Sequence, residues 1–168
     1  MNVKHGLKFL TVIILLVGFI SSCKDKKNND PTPTQVQLEK LAGSYKTTST
    51  KTWTVQSVTF NSTEDRTAEW AGLGFTLSLS TDGANHSYTT ANAFSPGPWP
   101  ASGTWSFGGT VDNPNVNLLL RDNQLEMASS VNVDATTLTL VFIFDDTVHS
   151  GGRTEAVNGE YIFTFTAP

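Results

Sequence analysis

The residues that could carry chemistry in this sequence are few and widely spaced. Cys23 is the only cysteine, and no His-Glu-x-x-His or comparable metal-ligand spacing includes His86 or His149, which we expect to face solvent. Asp145 and Asp146 are adjacent, so on a strand their carboxylates would point to opposite faces instead of converging. The serines lack a Gly-x-Ser-x-Gly elbow. The pattern therefore predicts no enzyme, no metal site and no cofactor.

Aromatic rings are the more informative candidates, and the sequence has four tryptophans. Trp53 and Trp105 occur in alternating, strand-like segments, which predicts that they fill the interior of the fold. Trp70 follows a charged segment, and Trp99 lies in a proline-rich run, residues 94–100. A run of this kind is stiff and can hold an indole ring outward for stacking on a sugar or a protein. Trp99 and Trp70 are therefore the candidate ligand contacts, although closure of the barrel mouth is the favoured role for both rings.

The N-terminal segment indicates where the chain resides. Lys4 and Lys8 precede an uncharged, apolar run at residues 9–20, and the small residues Ser21 and Ser22 follow it. This is the pattern of a cleaved secretory signal. An apolar helix of about 12 residues spans about 18 Å, short of the ~30 Å hydrocarbon core, so a permanent transmembrane segment is disfavoured.

Residues 20–23, Ile-Ser-Ser-Cys, resemble the lipobox of bacterial lipoproteins. The resemblance implies that residues 1–22 are removed and that Cys23 becomes an acylated N-terminus, with more than one acyl chain, as stable membrane anchoring requires. Residues 23–35 are charged, contain Pro-Thr-Pro and are too polar to form a core, which predicts a flexible tether. The charges that follow Cys23 also resemble the signal by which lipoproteins of Bacteroidota reach the outer face of the outer membrane.

The charge balance disfavours one class of partner. Removal of residues 1–22 takes away two lysines and leaves 9 of the 11 basic residues against 15 acidic ones, a net charge near −6. The only basic cluster that remains, residues 24–27, lies beside the expected anchor, so we predict no binding to nucleic acid. Residues 36–168 suffice for one domain.

Alternation of apolar and polar residues predicts a domain built almost wholly of strands. The strand signals lie at residues 43–60, as two strands or one long bulged strand, and at 73–80, 86–91, 103–107, 116–120, 125–133, 137–144 and 159–166. Asp82-Gly83 and Asp122-Asn123 tolerate positive φ, so each predicts a tight hairpin. Residues 61–70 are expected to form a polar loop. A short helix at residues 36–41, ended by Gly43, is expected to cap the fold.

The predicted fold class is all-β, an antiparallel up-and-down meander of about eight or nine strands. Closure of the meander into a barrel buries the apolar face and removes both sheet edges. A two-sheet β-sandwich is the alternative. Residues 137–144 are apolar on both faces and are expected to form the most enclosed strand. Loops of a meander alternate between its ends, which places Trp70 and Trp99 at the same end.

Segments along nearly the whole chain beyond Cys23 resemble the lipocalin-like lipoproteins of Bacteroidota. They are Gly43-Ser44-Tyr45, residues 53–60, residues 74–77, the Trp-Pro to Trp-Ser-Phe run at 99–107, Gly152-Arg153, and the Gly-x-Tyr-x-Phe-x-Phe finish at 159–165. The resemblance implies a lipocalin-like barrel, anchored at the cell surface or on the periplasmic face of the outer membrane. Lipocalins carry a Gly-x-Trp stacked by an arginine. Here Tyr45 replaces that Trp, and the sequence assigns the stacking role to neither Arg121 nor Arg153.

Two functions follow from these expectations. The first is a binding module that holds a glycan or a small apolar ligand at the barrel mouth. The alternative is an interaction or structural subunit that packs on another outer-membrane protein. A cavity with Trp70 and Trp99 at its opening favours the ligand, whereas a filled interior with an exposed apolar patch favours the protein partner.

Replacement of Cys23 tests the lipid anchor. The Cys23→Ser variant is expected to incorporate no fatty acid and to be uncleaved or unanchored, because the serine hydroxyl does not replace the acylated thiol and the sequence predicts no second membrane signal. Metabolic labelling with an alkyne fatty acid measures this directly. Label on the Cys23→Ser chain at the level of the unmodified chain would contradict the lipobox interpretation.

Overall fold

The structure is a computed structural model that describes residues 30–95, 97–145 and 158–168. The predicted signal at residues 1–22, Cys23, most of the predicted tether and residues 146–157 lie outside the described residues. The fold below is that of the unit Pro31–Pro168. Its elements are α1 (Pro33–Ala42), β1 (Ser49–Phe60), β2 (Glu64–Asp65), α2 (Thr67–Leu73), β3 (Thr76–Thr81), β4 (His86–Ala91), β5 (Ser102–Gly109), β6 (Pro114–Arg121), β7 (Leu125–Val131), β8 (Thr137–Phe144) and β9 (Gly159–Thr166).

Eight of the strands form a closed antiparallel barrel. Each strand from β3 to β9 pairs with the next along the chain, β1 pairs with β3, and β9 returns to pair with β1. The two-residue strand β2 adds to the side of β1, where Thr59 pairs with Asp65. The predicted up-and-down barrel is therefore confirmed, and the sandwich alternative is wrong.

A β-bulge lets β1 keep its apolar side chains inside the barrel along its whole length. The register against β9 shifts between Val55 and Ser57. Because side chains alternate between faces, the extra residue moves Val58 and Phe60 to the same buried face as Trp53. The interpretation of this region as one long, bulged strand is correct for Ser49–Phe60.

Helix α1 closes one end of the barrel, as the predicted cap, but it begins earlier than expected. The Thr32 hydroxyl accepts from the Gln35 N–H at 3.2 Å, and the Gln35 side chain accepts from the Thr32 N–H at 2.8 Å. This capping box starts the helix at Pro33 instead of residue 36, inside the predicted tether. Gly43 ends the helix in the left-handed conformation, φ 93°.

The barrel wall holds α1 by its C-terminal carbonyls, which carry the negative end of the helix dipole. The Trp53 Nε1–H donates to the Leu41 carbonyl at 3.0 Å, and the Lys51 ammonium donates to the Lys40 carbonyl at 3.2 Å. Lys51 also lies 4.4 Å from the centre of the Trp53 ring. Burial lowers the pKa of Lys51. The buried side chain of Leu38 completes the α1 end of the barrel.

The connection between β1 and β3 differs from the predicted polar loop. It contains β2 and the short helix α2, which Gly74 ends with φ 68°. Leu73 is the last residue of α2 and is 43% exposed, so the following strand begins at Thr76 instead of residue 73. The residues around Trp70 form about two helical turns, and Trp70 is the buried residue of this helix.

Both predicted hairpin turns are confirmed. Asp122 and Asn123 have φ of 53° and 57°, the positive values that a tight turn between β6 and β7 requires. Gly83 has φ 94° between β3 and β4. The Asp82 carboxylate accepts hydrogen bonds from Asn85 and Ala84 in that turn, which lowers the pKa of Asp82 to about 2.

Strand β8 is buried on its inner face only. Leu138, Leu140 and Phe142 point inward and are buried, and the Phe142 ring stacks on Phe163 at 5.9 Å. Ile143, however, is 67% exposed. The expectation that residues 137–144 are enclosed on both faces is wrong, because nothing among the described residues covers the outside of the sheet at this strand.

Phe142 should be among the residues whose truncation costs most. The Phe142→Ala variant is expected to lose about 3–5 kcal/mol of unfolding free energy, since the ring leaves a cavity in a stacked aromatic core. Ile143→Ala, one residue along and facing outward, is the matched control and should cost less than about 1 kcal/mol. Urea denaturation measures both, and equal losses would contradict the assignment of faces.

Candidate functional site

The two predicted ligand-contacting tryptophans lie inside the barrel at the end opposite α1. Trp70 is 2% exposed and Trp99 is 3% exposed, so the expectation of outward-held indoles is wrong. Both rings contact Phe163, at 4.8 Å and 5.8 Å between ring centres, and both contact Phe75. Their placement at one end is therefore confirmed. They close this end, which is the role that the sequence favours over contact with a ligand.

Trp70 enters the core from the barrel-facing side of α2. Its ring meets Phe75, Phe94 and Phe163 edge to face, at centre distances of 4.9, 4.8 and 4.8 Å. Edge-to-face contacts place the positive ring edge against a negative ring face. Trp70 thus anchors α2 to the barrel.

Trp99 enters the core from the connection between β4 and β5, residues 92–101. Its ring centre lies 5.5 Å from Phe142, 5.8 Å from Phe163, 6.0 Å from Phe75 and 6.3 Å from Tyr88. We call these four rings the aromatic chamber. The proline-rich run directs the Trp99 indole into the chamber, because the burial of a large apolar ring outweighs any gain from exposure.

Arg121 lies beside Trp99 as a buried cation. It is on β6, faces inward and is 7% exposed, and its guanidinium carbon is 5.3 Å from the centre of the Trp99 ring. The Arg121 Nη1–H donates to the Pro98 carbonyl. Burial lowers the pKa of Arg121. Arg121 thereby holds the Pro98-Trp99 pair to the barrel through the Pro98 carbonyl and the face of the Trp99 ring. The sequence alone does not predict this arginine–tryptophan contact.

Asp122 supplies the nearest negative charge. Its Oδ2 is 3.7 Å from Arg121 Nε, which is too long for a hydrogen bond, and accepts instead from the Tyr88 hydroxyl at 2.8 Å. Its Oδ1 accepts from the Thr104 N–H at 2.8 Å. Burial, and then the hydrogen bond to Asp122, raises the pKa of Tyr88. Gly103 is required here, because a Cβ at that position would come within 2.7 Å of the Tyr88 ring.

Two buried donors in this cluster have no hydrogen-bond partner among the described residues: Trp99 Nε1 and Arg121 Nε. The tryptophans on strands behave differently, since Trp53 donates to the Leu41 carbonyl at 3.0 Å and Trp105 to the Ser87 carbonyl at 3.1 Å. An unsatisfied buried donor costs about 1–3 kcal/mol. The Trp99–Arg121 contact therefore includes a cost that the other tryptophan sites avoid.

His86 is half-buried, and the expectation that it faces solvent is wrong. Its ring stacks on Trp105 at 4.6 Å with an interplanar angle of 28°, and its Nδ1 is 3.0 Å from the Thr81 hydroxyl. Desolvation lowers the pKa of His86. His149 and Asp146 lie outside the described residues. Among the described residues, no group of His, Cys, Asp and Glu side chains is arranged to hold a metal ion.

The outside of the barrel has an apolar patch. Leu118, Ala128, Val141 and Ile162 form one row of cross-strand neighbours over β6, β7, β8 and β9, and beside it lie two outward cross-strand pairs, Leu120 with Glu126 and Ile143 with Glu160. We call these eight residues the outer apolar face. Of its two carboxylates, Glu160 is the cross-strand neighbour of Ile143 and Glu126 is the cross-strand neighbour of Leu120. They are the only charged side chains that the described parts of these four strands direct outward.

The outside of β1 and β3 is polar, and four of its hydroxyls are bonded in pairs across the strands. The outward residues of β1 and β3 are mostly threonine and serine. The Thr50 and Ser80 hydroxyls lie 2.8 Å apart, as do those of Thr52 and Ser78. Hydroxyls that are bonded to each other across strands offer few free hydrogen-bonding groups to a partner protein. The contrast singles out the outer apolar face as the candidate interaction surface.

No protein-family model, curated protein or solved structure matches this chain. None of the helices in the described residues has the length and hydropathy to cross a bilayer.

The half-buried His86 predicts a dependence of stability on pH. Because the folded pKa of His86 is below its ordinary value of about 6.5, the unfolded chain binds more protons in this range. The contribution of His86 to the free energy of unfolding should therefore be complete above about pH 6.5 and should be lost as the pH falls through the folded pKa. Chemical denaturation at a series of pH values between about 7.5 and 5.5 measures it. His86→Gln should flatten the profile, and an unchanged slope in that variant would contradict the assignment.

Proposed function

We propose that this chain is a lipid-anchored cell-envelope protein of the lipocalin-like kind found in Bacteroidota, and that it acts as a binding module for another outer-membrane protein. The outer apolar face is the binding surface. The lipid anchor and the outer-membrane location are supported by the lipobox-like Ile-Ser-Ser-Cys at residues 20–23. No catalytic role is proposed.

The observation that carries this proposal is the exposure of Ile143 within the outer apolar face. Ile143 is 67% exposed, and its cross-strand pair lies beside the row of Leu118, Ala128, Val141 and Ile162. Soluble monomers rarely leave a contiguous apolar surface of more than a few hundred square ångströms open, and such surfaces mark interaction sites. The interior, in contrast, is filled by the chain's own rings, including Trp70 and Trp99.

The charges on this face favour a different protein as the partner over a second copy of this chain. The outer apolar face carries Glu126 and Glu160, and no basic residue accompanies them there. A symmetric dimer through this face would bring carboxylates of the two copies together, which is unfavourable on desolvation. A partner with an apolar centre and basic side chains around it complements the face in both respects.

The tether limits where such a partner resides. If Cys23 is anchored, the residues between Cys23 and the capping box at Thr32 reach at most about 30 Å when fully extended. The barrel therefore works close to the membrane. A partner embedded in the same membrane is the class that this reach favours.

A glycan or small apolar ligand at the barrel mouth is the less favoured function. It required Trp70 and Trp99 to line an opening, and both rings are buried.

Site-specific crosslinking in intact cells tests the protein partner. A photoreactive phenylalanine analogue at position 143 should yield one discrete adduct with an outer-membrane protein, identified by mass spectrometry. The same analogue at position 52, on the hydroxyl-bearing half of the barrel, is the matched control and should yield no such adduct. Glu126→Lys with Glu160→Lys should abolish the adduct at position 143 if the rim of the partner is basic.

Three results would overturn the proposal. They are equal crosslinking from positions 143 and 52, an adduct of twice the chain mass that indicates a second copy, and an adduct that survives both charge reversals. Val111, which is exposed outside the outer apolar face, provides a further control. Val111→Glu should leave the adduct intact, whereas Ile143→Glu in a chain that carries the photoreactive analogue at position 141 should remove it.

A further inference from the structure

We propose that the Pro98-Trp99 pair is a displaceable plug and that the aromatic chamber beneath it binds an aromatic carboxylate, with Arg121 as the residue that recognises the carboxylate. This inference does not depend on the partner-binding function of the outer face. It concerns the inside of the barrel at the end opposite α1.

The plug fits the barrel incompletely. Trp99 Nε1 and Arg121 Nε are both buried without a hydrogen-bond partner among the described residues, although the two side chains are in contact and the Asp122 carboxylate is 3.7 Å from Nε. A tryptophan that served only as core filling would be expected to satisfy its N–H, as Trp53 and Trp105 do on their strands. The plugged state is therefore weakened at the site where the plug meets the barrel.

The plug is held by few polar contacts. Trp99 belongs to the connection between β4 and β5, whose described residues contribute no strand to the barrel. The described polar contacts of this segment with the barrel are few: Pro98 accepts from Arg121, Ala101 and Pro100 accept from Thr90, and Asn92 donates to Gly74. The barrel ladder does not depend on Trp99. Withdrawal of this one segment would open the chamber and leave the strands paired.

The plug itself displays the chemistry of the ligand. The indole occupies a planar space bounded by Phe75, Tyr88, Phe142 and Phe163. Beside it, the Pro98 carbonyl gives one oxygen to the Arg121 guanidinium. A ligand with a fused aromatic ring and a carboxylate on a short arm would replace both groups.

A ligand carboxylate would also bind Arg121 more strongly than the Pro98 carbonyl that it replaces. The Arg121 guanidinium can donate two parallel hydrogen bonds to a carboxylate, whereas the Pro98 carbonyl is one acceptor, bonded to Nη1. Asp122 does not compete for that donor, because its Oδ2 lies on the Nε side, 3.7 Å from Nε, and accepts from the Tyr88 hydroxyl. Desolvation inside the chamber strengthens a charge-assisted contact of this kind.

Fluorine NMR of the full chain labelled with 5-fluorotryptophan tests displacement directly. Indole-3-acetate is the probe, and the Trp99 resonance is assigned by its absence in Trp99→Phe. Addition of the probe should move the Trp99 resonance towards that of an exposed indole and leave the Trp53 and Trp105 resonances unmoved. A Trp99 resonance that does not move at about 1 mM probe, a concentration that reveals even weak binding, would overturn the proposal.

Calorimetric titration of variants separates the recognised group from simple cavity filling. Trp99→Ala removes the competing plug and should bind indole-3-acetate at least about tenfold more tightly than the unmodified chain does. The reason is that binding no longer requires the Trp99 ring to leave the chamber first. It should also prefer indole-3-acetate to uncharged indole, and Arg121→Met added to Trp99→Ala should abolish that preference. Trp70→Ala, which opens the same aromatic cluster away from the guanidinium, is the matched control. Equal binding of the two probes by Trp99→Ala would overturn the role of Arg121.

Discussion

The closure of β1 on β9 is the constraint on which the rest of the structure depends. The two strands stay in register from Phe60 opposite Tyr161 to Thr54 opposite Thr166 only because the bulge between Val55 and Ser57 absorbs one residue. Without that residue, half of β1 would turn its apolar side chains to the outside. Closure also leaves both ends of the barrel open to filling, and the chain fills them by different means, with a capped helix at one end and indole rings at the other.

The elements that sequence reasoning recovered are those whose signal is local. Alternation predicted the barrel strands, Asp122-Asn123 predicted its hairpin, and Gly43 predicted the end of α1. The early start of α1 also had a local signal, the capping box from Thr32 to Gln35, which is readable in the sequence but was attributed to the tether. Helix α2 had no such signal, because its Arg66 N-cap offers no side-chain cap and Trp70 reaches its neighbours only through tertiary packing.

The candidate sites were predictable in composition but not in orientation. The proline-rich run that carries Trp99 predicts a stiff backbone, but a stiff backbone can point the ring outward or inward. The ring points inward because it packs in the aromatic chamber. The inward position of Arg121 was hidden because Leu118 and Leu120 share an alternation that resembles a core face, whereas the buried side chains of β6 are Leu119 and Arg121. Burial of a charge depends on partners distant in sequence, here Pro98 and Trp99, which no periodicity reveals.

Because α1 lies between the N-terminal segment and β1, a pulling force on the N-terminal segment should unfold α1 before it separates the barrel strands. A pulling force applied through the residues before Pro33 reaches α1 first, and it meets a short helix held mainly by Trp53, Lys51 and a few buried side chains. Ten residues that pass from helix to extended chain lengthen by roughly 18 Å. The helix would thus yield as an extensible link and absorb a pull while the barrel strands remain paired.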